Sequence, residues 1–361
     1  MSKYWSDLAA SLVPYVPGEQ PKDQTYVKLN TNENPYPPSP RVLEAIRNAA
    51  DGDLRLYPDP TCSELAEKAA SYYGVQPNQV FVGNGSDEIL AFAFAAFFSP
   101  SNRPILFPDI TYSFYKVYAS LYRIPYKTVP LDEEFGIPLH AFDEPNGGIV
   151  LPNPNAPTAR YIETELFRGV LEWNSDVVVI LDEAYIDFGG KSAIELAAEF
   201  PNLLVVHTLS KSRSLAGLRV GVAIGHPDLI EGLNRVKNSF NSYTIDRLAL
   251  AGAVAAFDDQ AYFEETTRKV VATRERTTSR LRELGFRVID SSANFVFATH
   301  PGHAASRLFQ ELKQRGVLVR YFNQPRIDNY LRISIGTDEE MDTFLKVLEE
   351  VLSLEGGSAE S

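Results

Sequence analysis

Val177-Val178-Val179-Ile180-Leu181 is an uninterrupted apolar run that is followed directly by Asp182. β-Branched side chains dominate the run, as they do in strands, and a strand that is apolar on both faces is typical of a parallel sheet covered by helices on each side. The sequence therefore predicts a buried parallel strand over Val177–Leu181. Its carboxyl end would carry an acidic side chain at the edge of the sheet.

Shorter apolar runs lie on either side of this strand and alternate with patterns of helical period. The further strands predicted in this region are Val80–Val82, Ile105–Phe107, Gly148–Leu151, Leu203–Val206 and Leu218–Ile224. The helices predicted between them are Ser63–Tyr73, Asp87–Phe98, Thr111–Leu121 and Ile162–Trp173. Alternation of this kind indicates βαβ units. The predicted fold class is therefore α/β, with a large domain built on a mostly parallel, doubly wound sheet.

The pattern changes near residue 259, where the long polar–apolar stretch Asp259–Leu284 predicts a helix that leaves the first domain. The elements predicted beyond it are the strands Phe286–Ile289, Phe295–Ala298, Val317–Arg320 and Leu331–Ile335 and the helix Ala304–Arg315. A last helix is expected to open at Thr337, because Thr337 and Glu340 form a capping box. These elements predict a smaller C-terminal α/β domain. The expected division is an N-terminal arm (1–28), a large domain (29–262) and a small domain (263–361).

The composition is that of a globular protein with an acidic surface. Of 361 residues, 44% are hydrophobic and 22% are charged, which is the balance of a folded domain. The formal net charge of −13 would repel a phosphate backbone, so nucleic acid is not an expected partner. The five histidines are scattered without metal-ligand spacing, and we expect no metal site.

The start of the chain does not resemble a secretory signal peptide. Met1–Ala10 contains Lys3, Trp5 and Asp7 and has no apolar core. No apolar run approaches the roughly 20 residues that cross a bilayer. The single cysteine, Cys62, cannot form an intramolecular disulfide, and we interpret it as a structural residue in a reducing compartment. We therefore expect a cytoplasmic protein with no membrane partner.

Candidate functional residues follow three of the predicted strands, since ligands in an open α/β sheet bind outside the carboxyl ends of its strands. Gly83-Asn84-Gly85-Ser86-Asp87 follows the first strand and opens a helix whose free N–H groups suit an anion. Asp182 follows the Val177 strand, and Lys211 lies in the loop after the next one. Each feature alone has an ordinary explanation: a tight turn, a helix N-cap and a solvated lysine, respectively.

Together, at matching ends of one sheet, the three features fit one cofactor. Pyridoxal phosphate needs an anion cradle, an acid that keeps its pyridine nitrogen protonated and a lysine that binds it covalently as an imine. The Gly83–Asp87 turn, Asp182 and Lys211 supply these roles in that order. Nearby side chains that can add hydrogen-bond donors are Thr208, Ser210 and Arg219 for the phosphate and Tyr185 for the ring hydroxyl.

The same residues resemble a known family. Ser210-Lys211 followed by Leu215-Ala216-Gly217-Leu218-Arg219, with Asp182-Glu183-Ala184-Tyr185 upstream, is similar to fold-type I aminotransferases and, more narrowly, to histidinol-phosphate aminotransferases. The resemblance extends from Leu29–Pro35 to Leu331–Thr337, which is nearly the whole chain. It implies pyridoxal 5'-phosphate as the cofactor, small-molecule substrates and a homodimer.

The resemblance also implies roles for individual side chains. Tyr112 would lie on or near the pyridine ring, and Tyr57 would reach the cofactor phosphate of the neighbouring subunit. Ordinary aromatic packing is the alternative explanation for both tyrosines. In the anion cradle the implied contacts come from Gly85, Ser86 and Asp87. The residues implied to hold the substrate are Tyr15, Asn32, Arg320 and Arg332.

The sequence departs from the family pattern at Asn153-Pro154-Asn155-Ala156-Pro157-Thr158-Ala159. The family commonly has Asn-Pro-Thr-Gly here, and its asparagine binds the ring oxygen of the cofactor. Ala156 occupies that place and has no hydrogen-bonding side chain. Two substitutes are open: Asn155, one residue earlier, or Tyr185 acting alone.

The resemblance implies transamination between L-histidinol phosphate and 2-oxoglutarate, a step of histidine biosynthesis, with Lys211, Asp182 and Tyr185 as catalytic residues. Arg332 would anchor either a phosphate or a carboxylate, because a guanidinium can form two parallel hydrogen bonds with both. An aromatic amino acid aminotransferase or a threonine-phosphate decarboxylase would use the same cofactor residues and is the alternative.

Two further function classes are disfavoured by the sequence. A transcriptional regulator on the same fold would need a DNA-binding domain, for which we expect no room because the aminotransferase-like segment starts near Leu29. The net charge of −13 also opposes it. A hydrolase using Ser210 is disfavoured because no Ser/His/Asp spacing supports it.

Overall fold

The computed structural model describes residues 3–100 and 103–356 of the chain. Its N-terminal segment contains a short helix, α1 (Asp7–Ser11), a two-residue strand, β1 (Val27–Lys28), and the helix α2 (Pro40–Ala49). β1 pairs in parallel with a strand near the C-terminus, Val317–Leu318. β1 is therefore attached to the C-terminal part of the chain, whereas α2 packs through Val42 in the core beneath the main sheet.

A seven-stranded sheet forms the centre of the molecule. Its strands are β2 (Val80–Gly83), β3 (Ile105–Pro108), β4 (Tyr126–Val129), β5 (Ile149–Pro152), β6 (Val179–Asp182), β7 (Leu203–Thr208) and β8 (Gly221–Gly225). Their order across the sheet is β2-β8-β7-β6-β5-β3-β4. Only β8 runs against the others, since it pairs antiparallel with both β2 and β7. The prediction of a mostly parallel sheet is confirmed.

Helices cover both faces of this sheet, as the doubly wound prediction requires. They are α3 (Ser63–Tyr73), α4 (Gly85–Phe97), α5 (Phe114–Leu121), α6 (Phe167–Trp173), α7 (Pro227–Phe240) and α8 (Arg247–Asp258). Alternate residues of β6 enter different cores, because successive side chains of a strand point to opposite faces. Val179 and Leu181 pack in the core with α3, α6 and α8, whereas Ile180 packs in the core with α4, α5 and α7.

The C-terminal part forms a second, smaller α/β unit. It contains α9 (Gln260–Glu283), β9 (Arg287–Ile289), β10 (Phe295–Thr299), α10 (Ala305–Gln314), β11 (Val317–Leu318), β12 (Arg320–Tyr321), β13 (Leu331–Ser334) and α11 (Asp338–Gly356). Four of its strands form an antiparallel sheet in the order β12-β13-β10-β9. The predicted capping box is confirmed: the Thr337 N–H donates to Glu340 Oε2 at 2.8 Å, and the Glu340 N–H donates to Thr337 Oγ1 at 3.2 Å.

Several predicted boundaries are wrong by a few residues, for local reasons. The predicted helix Thr111–Leu121 begins only at Phe114, because residues 111–113 form a loop at the end of β3. The predicted strand Leu218–Ile224 begins at Gly221, since Arg219 adopts a left-handed conformation with φ 56°. The predicted strand Val317–Arg320 is divided, as its two halves pair with different partners, β1 and β13. The sequence interpretation also missed β4, α2, α7 and α8.

Cys62 lies directly before α3 and is only 6% exposed. Burial raises the pKa of its thiol to about 11, although the Lys237 charge opposes this shift. The position agrees with a structural role. Among the helices that the structure describes, none combines the length and the apolar character needed to span a membrane.

Candidate active site

A cavity of about 1070 Å³ opens at the carboxyl ends of β6 and β7. It is lined by the N-terminal segment, by loops of the large sheet and by residues of the C-terminal sheet. The predicted site residues among those that line it are Tyr15, Asn32, Ser86, Asp87, Tyr112, Asp182, Tyr185, Thr208, Ser210, Lys211, Arg219, Arg320 and Arg332. Three predicted residues, Tyr57, Gly85 and Asn155, are not part of this lining.

Asp182 is the last residue of β6 and its side chain faces this cavity while being only 6% exposed. The Tyr115 hydroxyl donates to Asp182 Oδ2 at 2.7 Å, and the Ala184 N–H donates to Oδ1 at 3.3 Å. Burial raises the pKa of Asp182 from 3.8 to about 6, although these two donors lower it. No lysine or arginine of the described residues forms an ion pair with it. A cation in the cavity is therefore the partner that this carboxylate requires.

Replacing Asp182 with asparagine should change how the stability of the cofactor-free protein depends on pH. Because the folded-state pKa is raised, the contribution of Asp182 to stability is present below about pH 4 and is lost as the pH rises through about 6. Between pH 4 and pH 7 the free energy of unfolding of the wild type should fall by roughly 2 kcal/mol relative to that of Asp182→Asn. Urea unfolding at each pH measures this difference. The control Asp290→Asn, at an exposed site, should show the same dependence of stability on pH as the wild type. If the stability of Asp182→Asn also changes with pH as that of the wild type does, the pKa of Asp182 is not raised by burial.

Lys211 follows β7 by three residues and projects into the same cavity. Its Nζ lies 3.5 Å from the Thr31 carbonyl oxygen and 5.8 Å from the centre of the Tyr185 ring. The main chain at this point is held by Asn34, whose Nδ2 donates to the carbonyl oxygens of Lys211 at 2.9 Å and Ser212 at 3.2 Å. The lysine is thus fixed at its backbone while its amine is accessible from the cavity.

The turn between β2 and α4 forms an anion cradle together with Arg219. Gly85 has φ +76°, and a Cβ there would lie 2.6 Å from Arg219 Nη2. A Cβ on Gly221 would lie 2.7 Å from the Ser86 backbone nitrogen. Both glycines are required for this close packing, which brings the N-terminus of α4, Arg219 and Ser210 to one place. Gly85 therefore shapes the cradle without lining the cavity.

Asp87 connects two other members of the site. Its Oδ1 accepts from the Tyr112 hydroxyl at 2.7 Å, and its Oδ2 accepts from Arg219 Nη2 at 3.3 Å. Burial is the largest cause that raises the pKa of Tyr112, and the Asp87 charge and hydrogen bond raise it further. A carboxylate would repel a phosphate, so the side chain of Asp87 is suited to orienting Tyr112 and Arg219.

The structure does not bring the side chain of Asn155, a predicted cofactor ligand, to the cavity. Asn155 is completely buried, and its Nδ2 donates to the Ile110 carbonyl oxygen at 3.0 Å and to Thr158 Oγ1 at 2.9 Å. Its Oδ1 is shielded from solvent and has no partner among the described residues. The side chain that follows it and lines the cavity is the methyl group of Ala156. Of the two substitutes left open by the sequence, Tyr185 is the one that reaches the cavity.

Two arginines of the C-terminal sheet, Arg320 and Arg332, also line the cavity. Arg332 donates through Nη2 to the Asn30 carbonyl oxygen at 2.9 Å, while its Nε is buried without a partner among the described residues. Burial lowers the pKa of Arg332, and the neighbouring Arg320 charge lowers it further. Both guanidinium groups lie 5.6 Å from the centre of the Phe322 ring. Within the described residues neither is paired with a carboxylate, which suits an anionic ligand.

Tyr57 is far more exposed than the other predicted site residues. It is 79% exposed and stacks on Tyr243 with ring centres 4.6 Å apart. It does not contact the cavity of its own chain. Tyr15, by contrast, lies at the cavity and packs against Phe114 at 4.5 Å.

Sequence reasoning missed two residues that hold the site together, Tyr115 and Asn34. Tyr115 is three residues after Tyr112, and this spacing could have placed the two on one side of the loop and helix. Asn34 belongs to the quoted Leu29–Pro35 motif, but nothing in the sequence indicates that it binds the backbone of Lys211.

The described residues fit pyridoxal phosphate. The buried Asp182 is without a cation, the cradle at Gly85 leaves no room for a Cβ, and Lys211 is accessible from the same cavity. These features match the pyridine nitrogen, the phosphate and the aldehyde of the cofactor, respectively. No cluster of three or more His, Cys, Asp or Glu side chains within residues 3–100 and 103–356 could hold a metal ion.

Comparison with known proteins agrees with this fit. The family model for aminotransferase class I and II matches residues 24–348. A histidinol-phosphate aminotransferase of Clostridium beijerinckii is 61% identical over 98% of both chains, and one of Pseudomonas syringae is 56% identical over 97% of this chain and 100% of its own. The crystal structure of histidinol-phosphate aminotransferase from Sinorhizobium meliloti in complex with pyridoxal-5'-phosphate has a TM-score of 0.86 at 25% identity, covering 97% of this chain and 99% of that one. The resemblance inferred from the Asp182 and Lys211 motifs is confirmed. The chain belongs to the class I and II aminotransferases and, within them, to the histidinol-phosphate aminotransferase family.

Proposed function

We propose that this enzyme transfers an amino group between L-histidinol phosphate and 2-oxoglutarate, with pyridoxal 5'-phosphate as its cofactor, as a step of histidine biosynthesis. The observation that carries the proposal is one cavity lined both by Asp182 and Lys211 and by Arg320 and Arg332, neither of which pairs with a carboxylate among the described residues. Relatives named for this activity at up to 61% identity support it. They do not favour an aromatic aminotransferase or a threonine-phosphate decarboxylase.

The reaction divides the work between the cofactor and the chain. When bound, pyridoxal phosphate supplies an electron sink that makes the α-proton of the amine substrate removable. Asp182 holds a positive charge at the ring nitrogen, where its buried carboxylate needs a cation. Lys211 would hold the cofactor covalently in the resting enzyme. Once the substrate amine has replaced it there, the freed Nζ would move the proton at the α-carbon of the substrate. Tyr185 donates its hydroxyl proton to the ring oxygen.

Other residues of the proposed site bind and orient. The cofactor phosphate would be held by backbone N–H groups of Gly85, Ser86 and Asp87 at the N-terminus of α4, together with the side chains of Thr208, Ser210 and Arg219. Tyr112, whose hydroxyl donates to Asp87, would help to hold the ring. Tyr15, Arg320 and Arg332 hold the phosphate of the amine or the carboxylate of the oxo acid. Asn32 lines the cavity, but its amide is bound to protein groups, so its predicted direct contact with the substrate is not retained in this proposal.

A substrate screen tests the proposed activity. The purified enzyme should transfer amino groups from histidinol phosphate to 2-oxoglutarate much faster than from aromatic amino acids. Threonine phosphate should release no carbon dioxide. A preference for an aromatic donor, or decarboxylation of threonine phosphate, would overturn the assignment and leave the cofactor residues unaffected.

Removing Arg320 should separate phosphorylated from unphosphorylated substrates. A charge-assisted hydrogen bond contributes about 1.5–3 kcal/mol, so Arg320→Ala should reduce kcat/KM for histidinol phosphate by about tenfold or more. Slow turnover of histidinol, which has no phosphate, should change little. Arg315→Ala is the matched control, since Arg315 pairs with Glu311 outside the cavity. Equal losses for both substrates would count against a phosphate contact by Arg320.

The proposal also includes the assembly and the location of the enzyme. We infer a homodimer in the cytoplasm that binds small molecules and neither nucleic acid nor membrane. The exposed Tyr57 and Tyr243 pair supports a dimer contact, because apolar surface of this kind often marks an interface. We retain the division into an arm (1–28), a large domain (29–262) and a small domain (263–361) as part of the proposal, although Leu29 packs in the core of the C-terminal unit.

A further inference from the structure

The hydroxyl group of Tyr185 has a hydrogen-bond partner on the side away from the cavity. Asn32 Nδ2 lies 3.0 Å from the Tyr185 hydroxyl oxygen. An amide NH2 group can only donate, so the phenol oxygen accepts this bond and its own proton is left for a different acceptor. Among the described residues that proton has no acceptor, and Tyr185 lines the cavity. The proton is therefore directed at a group bound in the cavity.

The amide of Asn32 cannot easily turn over, because Ser334 fixes its other end. Ser334 Oγ accepts from the Asn32 backbone N–H at 2.8 Å, so its own proton is free to donate to Asn32 Oδ1 at 2.9 Å. Turning the amide over would leave the buried Ser334 hydroxyl proton without an acceptor among the described residues, so Nδ2 faces Tyr185. The Asn32 carbonyl oxygen is held as well, by Asn294 Nδ2 at 2.9 Å. Every polar group of Asn32 is thus used, and its side chain acts through Tyr185 rather than on the ligand.

The backbone at Asn32 explains why this residue type suits the position. Its φ is 56°, in the left-handed region that asparagine and glycine tolerate better than other residues. The residue is also only 1% exposed, so its amide donates to Tyr185 from within the protein. The segment therefore combines an unusual backbone conformation with a buried donor of fixed direction.

We propose that Asn32 is a positioning residue that directs the Tyr185 hydroxyl proton to the ring oxygen of the cofactor. This arrangement offsets the donor that is absent at Ala156, where the site has only a methyl group. The inference rests on the proposed role of Tyr185. It deepens that role by naming the residue that orients the Tyr185 hydroxyl.

The test follows the visible absorbance of the bound cofactor as a function of pH. A donor to the ring oxygen favours its anionic form, so losing the donor should move the midpoint of the absorbance change to higher pH. Tyr185→Phe should shift the midpoint upward by about 0.5–1 pH unit, the scale of one hydrogen bond. Asn32→Gly removes the amide without straining the backbone and should shift it in the same direction by a smaller amount. In the double variant, Asn32→Gly should add nothing to the shift of Tyr185→Phe, since the two act through one hydroxyl.

Two further variants make the result specific. Asn30→Ala removes a neighbouring amide that is equally buried, but that amide donates to the Glu19 carbonyl oxygen at 2.9 Å and not to Tyr185. It should leave the midpoint unchanged. Ser334→Ala removes the hydroxyl that fixes the amide and leaves Asn32 in place. Ser334→Ala should move the pH midpoint slightly upward, and this shift should be absent when Tyr185→Phe is also present. If Asn32→Gly does not fold, Ser334→Ala tests the role of Asn32 instead.

The possible outcomes distinguish a failure of the Asn32 inference from a failure of the proposed role of Tyr185. An unchanged midpoint in Asn32→Gly, with a shifted one in Tyr185→Phe, overturns the role of Asn32 alone. An Asn32→Gly shift that persists in the Tyr185→Phe background also overturns it, because the effect would then be general loss of structure. No shift in Tyr185→Phe itself overturns the proposed role of Tyr185.

Discussion

Lys211→Ala should lose the visible absorbance of the bound cofactor and reduce turnover by roughly 10²–10⁴-fold, the usual contribution of one positioned proton-transfer group. The variant loses both the covalent link and the amine that moves the α-proton. Cofactor binding should survive in part, because the cradle formed by α4, Ser210 and Arg219 does not depend on the lysine side chain. The absorbance spectrum and single-turnover kinetics measure the two losses separately.

Two companion variants show whether the effect belongs to this amine. Lys211→Arg keeps a positive charge but cannot form the covalent link, so it should resemble Lys211→Ala in its spectrum. Lys116→Ala removes another lysine of the cavity lining and should keep the normal absorbance. Borohydride reduction followed by peptide mass analysis locates the link. If Lys211→Ala still attaches the cofactor to the same peptide, the assignment of Lys211 is wrong.

The second large effect concerns Tyr57, which is exposed in its own chain. If its hydroxyl donates to the cofactor phosphate of the partner subunit, each active site needs two chains. Tyr57→Ala should then weaken cofactor affinity by about 10–100-fold, the range expected for one charge-assisted hydrogen bond. Equilibrium dialysis of the purified variant measures this change, and it should be most visible after free cofactor is removed.

Mixing Tyr57→Ala with Lys211→Ala tests whether the tyrosine acts across the dimer. In a mixed dimer, one site combines the intact Lys211 of one chain with the intact Tyr57 of the other, and the second site has neither. After random exchange in an equal mixture, about a quarter of all sites should be native, so turnover should reach about a quarter of the wild-type value. Asp182→Asn mixed with Lys211→Ala is the control and should show no recovery, because both residues serve the same chain's site. Mixed dimers without recovered turnover would place Tyr57 outside the partner's site.

The large sheet could be predicted because its signals are local. An apolar run such as Val177–Leu181 fits a buried strand, and the residue that follows it must face the carboxyl edge of the sheet. The edge strand β4 (Tyr126–Val129) was missed because its first two residues are exposed and Lys127 and Thr128 interrupt its apolar pattern. Turn geometry could not be predicted either. Arg219 has a left-handed backbone conformation, so β8 begins only at Gly221, and an arginine in the sequence does not indicate this conformation.

The site was predictable in its chemistry but not in its hydrogen bonds. Asp182 and Lys211 could be assigned because the roles of acid and amine follow from residue type and strand position. The sequence interpretation assigned Asn155 to the ring oxygen of the cofactor and Asn32 to the substrate, and neither hydrogen-bond partner could be read from the sequence. In the structure, Asn155 turns into the protein, whereas Asn32 contacts Tyr185. Contacts between residues more than 150 positions apart depend on tertiary packing, which single-sequence patterns do not contain.

The buried Cys62 gives the enzyme a practical advantage for fluorescence work. The thiolate is the reactive form of cysteine, and a thiol whose pKa is raised to about 11 has very little of it at neutral pH. Maleimide dyes should therefore leave the wild-type chain unlabelled while modifying a cysteine introduced on the surface, for example by Trp173→Cys, at a position that is 54% exposed. Two preparations carrying different dyes would then report subunit exchange by energy transfer, in the same tube in which recovered turnover is measured.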